Sequence, residues 1–276
     1  MDLSIVLSHL LGLRKPLDKI LLEPFGGPRR GRPGRGRNEG FLIASRAKTS
    51  YRNIVTKYDQ NAEKEIVGTL STFYPDVSVV AEESRPGAVM KSGGWTWCID
   101  PLDGTVNFAY GHPLFAVSIA LLRDGRPVVG MVHLPRIQET FWAIHGRGTY
   151  LNGRRVRVGR RRNLRDALLA TGFPYVRNRA FRENLRGMNR LLPKVRDFRR
   201  CGAASIDLAF VACGRLDGYF ESGLSSWDVA AGGLLVSEAG GRVGDFRGGP
   251  EWMGDRRIVA ANGHLFPALI RGLKSR

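Results

Sequence analysis

A series of short apolar segments separated by turn residues is the feature that most restricts the fold of this 276-residue chain. The segment "FAVSIALLRDGRPVVGMVHLP" (115–135) alternates along its length and breaks at "RDG", which predicts a β-hairpin. Similar apolar patterns predict further strands in "VSVVAEES" (77–84), "WTWCID" (95–100), "ETFWAIHGRGTYLNG" (139–153), "LDGYFE" (216–221) and "RIVAAN" (257–262).

Helical patterns lie between these predicted strands. The segment 53–75 predicts a helix from Asn53 that ends at Pro75, with a buried stripe of Ile54, Ala62, Ile66, Val67 and Leu70. Further helices are predicted in "SIDLAFVACG" (205–214), in "WDVAAGGLLVSEAGG" (227–241), and as one or two short pieces within 1–25, with breaks at Pro16 and Pro24. Runs of strands with helices between them predict a layered α/β or α+β sandwich.

The formal net charge of +18 is the main anomaly of the composition. Arginine is concentrated in "PRRGRPGRGR" (28–37) and "RRVRVGRRRNLR" (154–165), and such a surface attracts polyanions such as nucleic acid. The alternative is a set of solvated surface arginines with no specific partner. No aromatic residue interrupts either run, which weakens the case for base stacking.

Composition also narrows the class of protein. Three cysteines without metal-binding spacing indicate neither a disulfide framework nor a zinc site, and favour a reducing cytoplasm. No apolar run reaches the ~20 residues of a membrane-spanning helix, so we expect no membrane partner. We predict that residues 1–40 form an atypical N-terminal helix followed by a mobile Arg/Gly/Pro-rich loop at 26–40, not a signal peptide.

The turn in "WCIDPLDGTVNFAYG" (97–111) places two carboxylates close together at the end of an apolar strand. Asp100, Asp103 and the carbonyl of Leu102 can face one small space, where the charges would repel each other unless a cation lies between them. Oxygen ligands of this kind suit magnesium. The alternative is an ordinary Asx turn, because Asp, Pro and Gly are common turn residues.

Three neighbouring features are compatible with the magnesium interpretation. A helix that begins at Gly104 and Thr105 would offer backbone N–H groups to a phosphate. Glu82 and Glu83 end another strand, and only one of them can face the aspartates because adjacent strand residues point in opposite directions. Asp228 begins a predicted helix, where it either caps the helix or lends an oxygen to a metal.

The order of these motifs resembles that of a known family. "DPLDGTVNF" (100–108), with "AEES" before it and "WDVAAGGLLVSEAGG" after it, is similar to two signature motifs of the inositol monophosphatase family. That family belongs with fructose-1,6-bisphosphatase in a superfamily of lithium-sensitive, magnesium-dependent sugar phosphatases. The similarity runs from about Asn53 to Leu273, and "TGFPY", "RRCGAASIDLAFVACGRLDGYFE" and "IVAAN" resemble the bacterial SuhB-like branch.

The resemblance implies a fold and a set of site residues. The expected fold is a five-layered α/β/α/β/α sandwich, with residues 41–276 as the catalytic domain of a homodimer. The implied ligands of two or three Mg²⁺ ions are Glu82, Asp100, the Leu102 carbonyl, Asp103 and Asp228, with Asp100 shared between two ions. Glu82 and Thr105 would activate water, with Asp59 bonded to Thr105; Gly104 and Thr105 would hold phosphate; Asp103 and Glu221 would contact substrate hydroxyls.

Two of these residues have simpler interpretations as well. Asp59 is also placed to cap a helix, and Glu221 is also interpretable as an exposed acid at a strand end. The chain departs from the family in its first forty residues and at Ala203, where relatives often carry Thr or Ser.

The expected function is magnesium-dependent, lithium-sensitive hydrolysis of inositol 1-phosphate or a similar small phosphorylated polyol by an activated water. Fructose 1,6-bisphosphate, histidinol phosphate and nucleotide 3'-phosphates remain open as substrates. The alternative from another class is a SuhB-like protein that binds RNA or a transcription complex through its basic surface.

Overall fold

Two β-sheets alternate with three layers of helices in the computed structural model, which describes residues 1–26, 42–51, 53–84 and 93–274. The helices are α1 Leu3–Gly12, α2 Arg14–Leu21, α3 Lys57–Phe73, α4 Thr105–Ala109, α5 Arg179–Leu191, α6 Ala204–Ala212, α7 Ser226–Glu238 and α8 Phe266–Leu273. Short 3-10 helices lie at Glu23–Phe25, Pro135–Ile137, Leu164–Asp166 and Leu192–Lys194.

The strands form a large sheet, a smaller sheet and a short ribbon. They are β1 Arg46–Ser50, β2 Asn53–Val55, β3 Ser78–Ala81, β4 Trp95–Asp103, β5 Ala116–Arg123, β6 Arg126–Leu134, β7 Glu139–Ile144, β8 Gly148–Leu151, β9 Arg154–Val156, β10 Leu168–Thr171, β11 Asp197–Arg199, β12 Gly218–Ser222, β13 Gly241–Gly244 and β14 Arg257–Asn262. Strands β3 to β9 form a seven-stranded sheet in chain order, antiparallel except for the parallel pair β3–β4. The second sheet has the order β11-β10-β12-β14-β13, and β1 pairs with β2 alone.

Alternation of side chains along the strands separates three apolar cores. On β4, Trp97 and Ile99 pack against α1, α2 and α3, whereas Cys98 faces α6 and α7 on the other side. On β12, Tyr219 belongs to this same central core, whereas Phe220 packs on α5 and α8. The layers are therefore α1–α3, large sheet, α6–α7, small sheet and α5–α8, so the five-layered fold predicted from the sequence is confirmed.

Most elements agree with the sequence predictions, including the hairpin at "RDG" and the helix end before Pro75. The predicted start of the third helix was wrong, because Asn53–Val55 is strand β2 and Ile54 lies on it. Thr56 ends this strand and caps α3: its hydroxyl accepts the N–H of Tyr58 at 3.1 Å, and Asp59 accepts the N–H of Thr56 at 2.8 Å. In the predicted stripe, Ala62, Ile66 and Leu70 are buried and Val67 is half-buried.

The predicted break at Pro16 was also wrong. The two N-terminal helices separate at Leu13, and Pro16 lies in the first turn of α2, where a missing N–H costs no intrahelical hydrogen bond. Pro24 does lie outside α2, in the following 3-10 helix. The predicted mobile loop lies outside the described residues beyond Gly26, so the division at residue 40 stays a prediction.

Helix α7 packs so closely on its neighbours that two of its residues must be glycine. A Cβ on Gly232 would lie 2.6 Å from Cβ of Leu208 on α6, and a Cβ on Gly233 would lie 2.5 Å from the ring of Trp252. On the sheet side, a Cβ on Gly130 of β6 would lie 3.1 Å from Cα of Ala231. These close approaches fix the depth at which the first turn of α7 meets the end of β4.

We predict that Gly232→Ala lowers the free energy of unfolding by about 1–2 kcal/mol, because overpacking outweighs the gain in helix propensity. The matched control is Gly68→Ala on the exposed face of α3, where nothing lies within 4 Å of the added Cβ. That control should stabilise the protein by up to about 1 kcal/mol. Urea denaturation of both variants measures the difference, and equal effects would contradict the close-packing explanation.

Candidate active site

A β-bulge in β4 aims the two motif aspartates into one space. Asp100 pairs with Ser118 and Asp103 with Ala116 on β5, so three steps along β4 match two along its neighbour. The carboxylate of Asp100 accepts the N–H of Leu102 at 2.9 Å. The Asx turn considered as an alternative is therefore present, and it holds the Asp100 carboxylate at the end of the strand.

Helix α4 begins directly after this bulge, as predicted. Gly104 precedes it with a φ of 90°, and a Cβ there would lie 3.1 Å from the carbonyl of Leu114. The hydroxyl of Thr105 lies 2.9 Å from Asp59 Oδ1 and 3.0 Å from the Leu102 carbonyl. Since Thr105 has one hydroxyl hydrogen, it can donate to only one of these oxygens at a time.

Asp59 combines both roles considered for it from the sequence. Its Oδ2 completes the N-terminal cap of α3 with Thr56, while its Oδ1 meets the Thr105 hydroxyl. Burial raises the pKa of Asp59, and the hydrogen bonds from Thr56 and Thr105 act in the opposite direction.

Glu82 follows β3 and lies beside the ammonium group of Lys48 on β1. Its Oε1 is 2.9 Å from Lys48 Nζ, and Lys48 also contacts Glu83. Glu82 is the glutamate whose charge acts on Asp100, whereas Glu83 faces α3, where its N–H binds the carboxylate of Glu63 at 2.8 Å. Burial raises the pKa of Glu83 to about 7.

Asp103 and Asp228 are each held by a helix N-terminus. Asp103 Oδ2 accepts the N–H and the hydroxyl of Ser205 on α6, at 2.7 and 2.6 Å. Asp228 is the third residue of α7 and accepts the N–H of Ser225 at 2.6 Å, so it completes the cap while its carboxylate lies against the cavity. Sequence reasoning missed Ser205, although it stands two residues after the singled-out Ala203.

These acids form a region of strong negative charge. Burial is the largest cause that raises the pKa of Asp100 well above its usual range, and the charges of Glu82, Asp103 and Asp228 add to it. Burial likewise raises the pKa of Asp103 to about 6 and that of Asp228 well above its usual range. The carboxylates repel one another. Lys48 offsets part of this negative charge through its contact with Glu82.

The chemistry of this set fits a hard divalent cation. All the candidate ligands are oxygen atoms, and Asp100 is only 2% exposed, so its charge is poorly screened by water. Within the described residues, however, no three His, Cys, Asp or Glu side chains already form a group that could hold a metal ion. The capping bonds of Asp103 and Asp228 and the Lys48 contact of Glu82 hold these side chains in their present positions.

Glu221 lies on strand β12 of the small sheet and is buried. The interpretation of Glu221 as an exposed strand-end acid was therefore wrong, since only 6% of the residue is accessible. The hydroxyl of Tyr219 donates to Glu221 Oε2 at 2.6 Å, and a Cβ on Gly172 would lie only 2.0 Å from that oxygen. Burial raises the pKa of Glu221 to about 7.

A single cavity of about 310 Å³ connects these groups. The acids and the start of α4 line it together with the first turn of α6 and with Glu221 of the small sheet. Eight of the nine predicted site residues line it, namely Glu82, Asp100, Leu102, Asp103, Gly104, Thr105, Glu221 and Asp228, and Asp59 lies behind Thr105. Other lining residues were given no role from the sequence, although they lie in segments quoted for the family resemblance; they include Tyr175, Arg200, Asp207 and Trp227.

Comparison with known proteins identifies the family of the chain. The sequence model of the inositol monophosphatase family matches residues 34–275. The chain belongs to the inositol monophosphatase family. Membership in this family supports a hydrolase of the phosphatase class.

Within the inositol monophosphatase family, the chain lies in the bacterial SuhB-like branch. A relative from Pseudomonas aeruginosa, named Nus factor SuhB, is 48% identical over 224 residues, which cover 79% of this chain and 82% of the relative. The crystal structure of extragenic suppressor protein suhB from Bartonella henselae matches with a TM-score of 0.85 at 35% identity, over 98% of this chain and 99% of that one. An inositol monophosphatase from Anabaena matches with a TM-score of 0.75 at 40% identity, over 81% and 87% of the two chains.

Among the helices of the described residues, none combines the length and the apolar character needed to cross a membrane.

The pKa of Glu221 predicts how the stability of the metal-free protein depends on pH. Its pKa rises from 4.5 in the unfolded chain to about 7 in the folded one, so the folded state loses relative stability as the pH rises between these values. Glu221→Gln lacks this titration, and we expect it to become more stable relative to the native chain by about 2–3 kcal/mol between pH 5 and pH 8.

Urea denaturation in a chelator at pH 5 and pH 8 measures this difference. Acids distant from Glu221 titrate in both proteins and cancel in the comparison, whereas Asp103, Asp207 and Asp228, which interact with its charge, also contribute to the difference. An unchanged difference between native and variant at the two pH values would show that Glu221 has an ordinary pKa.

Proposed function

We propose that the chain is a magnesium-dependent, lithium-sensitive phosphatase that hydrolyses inositol monophosphate or a similar polyol monophosphate. The observation that carries the proposal is the convergence of Glu82, Asp100, Asp103 and Asp228 on one cavity that also contains the start of α4. A cluster of partly buried acids destabilises the folded state through charge repulsion and desolvation. Its presence therefore indicates a bound cation or a catalytic role. The capping of two of these acids shows that they are oriented rather than simply solvated.

Two or three Mg²⁺ ions would be held by Glu82, Asp100, the Leu102 carbonyl, Asp103 and Asp228. When bound, magnesium supplies positive charge to the phosphoryl oxygens, acidifies the attacking water and stabilises the departing oxygen. No cysteine or histidine nucleophile is needed for direct transfer to water, and the three cysteines are free with raised pKa values, chiefly because of burial.

The chain's own groups then bind and orient the reactants. The backbone N–H groups of Gly104 and Thr105 lie at the start of α4, where a phosphate oxygen is favoured. The Thr105 hydroxyl, held by Asp59, positions the attacking water together with the Glu82 carboxylate, which accepts its proton. Asp103 and Glu221 accept hydrogen bonds from the hydroxyl groups of the polyol.

Inositol 1-phosphate is the substrate proposed first, and the names of solved relatives support this choice. The motifs would serve fructose 1,6-bisphosphate, histidinol phosphate and nucleotide 3'-phosphates equally. Hydrolysis rates measured side by side on these esters rank the substrates.

The first test is phosphate release from inositol 1-phosphate with and without Mg²⁺, and with millimolar-range Li⁺. We expect Mg²⁺-dependent turnover that Li⁺ inhibits and that Asp100→Asn lowers by at least ~100-fold, because the variant loses a charged oxygen at the centre of the acids. The matched control is Asp124→Asn in the β5–β6 turn, where the side chain is 62% exposed and Asn tolerates the left-handed backbone. Equal activity of the two variants would exclude Asp100 from the reaction.

A second candidate function is binding to RNA or a transcription complex. It is supported by the net charge of +18 and by the name Nus factor SuhB given to relatives. The run at 28–37 lies outside the described residues, and the run at 154–165 includes edge strand β9, where charged side chains also discourage strand pairing between molecules. Salt-sensitive RNA binding that survives Asp100→Asn would support this function beside catalysis.

The proposed homodimer rests on the family resemblance, and the proposed cytoplasmic location rests on the three cysteines without disulfide or zinc spacing. Sedimentation of the purified chain measures the first of these. A monomer at micromolar concentration would exclude a stable dimer.

A further inference from the structure

Asp207 on α6 is a buried acid for which the described residues provide no adequate partner. The residue is 1% exposed, and its Oδ1 makes no hydrogen bond to any described residue. The neighbouring polar group is the thiol of Cys201, which is a weak hydrogen-bond donor.

The fold does not explain why an acid stands at this position. The N-terminus of α6 is already capped by Asp103 through Ser205, and Asp207, although it lies in the same first turn, makes no capping hydrogen bond. Asp217 shows what a structural acid in the same core looks like: it is equally buried, but it pairs with Arg161 at 3.0 Å and accepts the N–H of Leu168 at 2.9 Å. An unpartnered buried carboxyl destabilises the folded state, so an apolar residue would serve the packing of α6 better.

The position of Asp207 in the cavity indicates a ligand. It lines the wall near Glu221 on β12, whose charge acts on it. A Cβ on Gly104, where the phosphate would bind, would lie 3.3 Å from Cβ of Ala203, and Asp207 stands one turn further along α6, where its N–H binds the Ala203 carbonyl. A substrate with its phosphate at Gly104 would therefore extend its other end toward two carboxyl groups, which match a ligand rich in O–H donors.

We propose that Asp207 is a specificity-determining residue whose unpartnered oxygen binds a hydroxyl group on the part of the substrate remote from the phosphate. This inference rests on the proposed phosphatase function and narrows its substrate class. The preferred leaving group carries at least two hydroxyls beyond the ester oxygen, one for Glu221 and one for Asp207. Simple alkyl and aryl phosphates lack the second contact and are poorer substrates.

The test compares two substrates in two variants with Mg²⁺ present. Inositol 1-phosphate carries the hydroxyls, and p-nitrophenyl phosphate carries none. For Asp207→Leu we expect KM for inositol 1-phosphate to rise about 10- to 100-fold, with kcat and the kinetics on p-nitrophenyl phosphate nearly unchanged. Asp207→Asn retains an acceptor oxygen and should stay within a few-fold of the native KM.

The control separates a binding role from a structural one. Asp217→Asn perturbs a buried acid away from the cavity, and it should lower the melting temperature without changing the ratio of the two KM values. Equal losses on both substrates in Asp207→Leu, or an unchanged KM ratio, would overturn the proposal. If Asp207→Leu does not fold, the same comparison is made with Asp207→Ala: a raised KM for inositol 1-phosphate alone supports the proposal, and equal changes on both substrates overturn it.

Failure of the proposed function has a different signature. In that case the native chain hydrolyses neither ester with Mg²⁺, and the specificity proposal fails with it. If the native chain hydrolyses both esters with equal kcat/KM, the specificity proposal alone is overturned.

Discussion

Repulsion among carboxylates at the end of β4 is the constraint on which the rest of the site depends. Asp100 is nearly inaccessible to water, so its charge is felt by Glu82, Asp103 and Asp228 rather than screened. The structure opposes this repulsion with backbone and side-chain donors rather than with a set of ion pairs: a turn N–H holds Asp100, and helix N-termini hold Asp103 and Asp228. Each acid is thus oriented by an element that the fold also requires.

The two interpretations offered by the sequence for several acids are therefore not exclusive. Asp59 and Asp228 are parts of capping boxes, and each also presents an oxygen toward the site. A cap fixes a carboxylate to within hydrogen-bond distance of the backbone, which gives the precision that a binding site needs. At Asp59, the helix cap and the contact with the Thr105 hydroxyl use different oxygens of the same side chain.

Alternation and turn residues are local signals, and from them the sequence predicted a layered sandwich and the antiparallel strands β5 to β8. The number of layers was implied by the family resemblance, because no pattern had predicted α5 or α8. The start of α3 was wrong because Thr56 ends strand β2 and caps the helix, which apolar periodicity does not detect. The break at Pro16 was wrong because a proline in the first turn of a helix costs no intrahelical hydrogen bond. The motif residues around the bulge could be located from their order in the chain. Ser205 and Asp207 could not be assigned to the site from the sequence, because only the packing of α6 brings them to the cavity. Ser205, for example, contacts Asp103, which lies 102 positions earlier in the chain.

The order of the strands also bears on how the chain folds. Strands β4 to β9 pair with their neighbours in sequence, so the large sheet can form from successive hairpins with short loops to close. The small sheet contains the parallel pairs β10–β11 and β10–β12, which require longer crossovers and therefore form more slowly. Because Asp100 lies on the first sheet, Glu221 on the second and Asp228 on a helix between them, the cavity is assembled only when the two halves dock. A chain with only the large sheet folded already brings Asp100, Asp103 and the adjoining Glu82 together, but these acids still face water. Docking of the second half therefore adds the cost of burying them and the repulsion of Asp228.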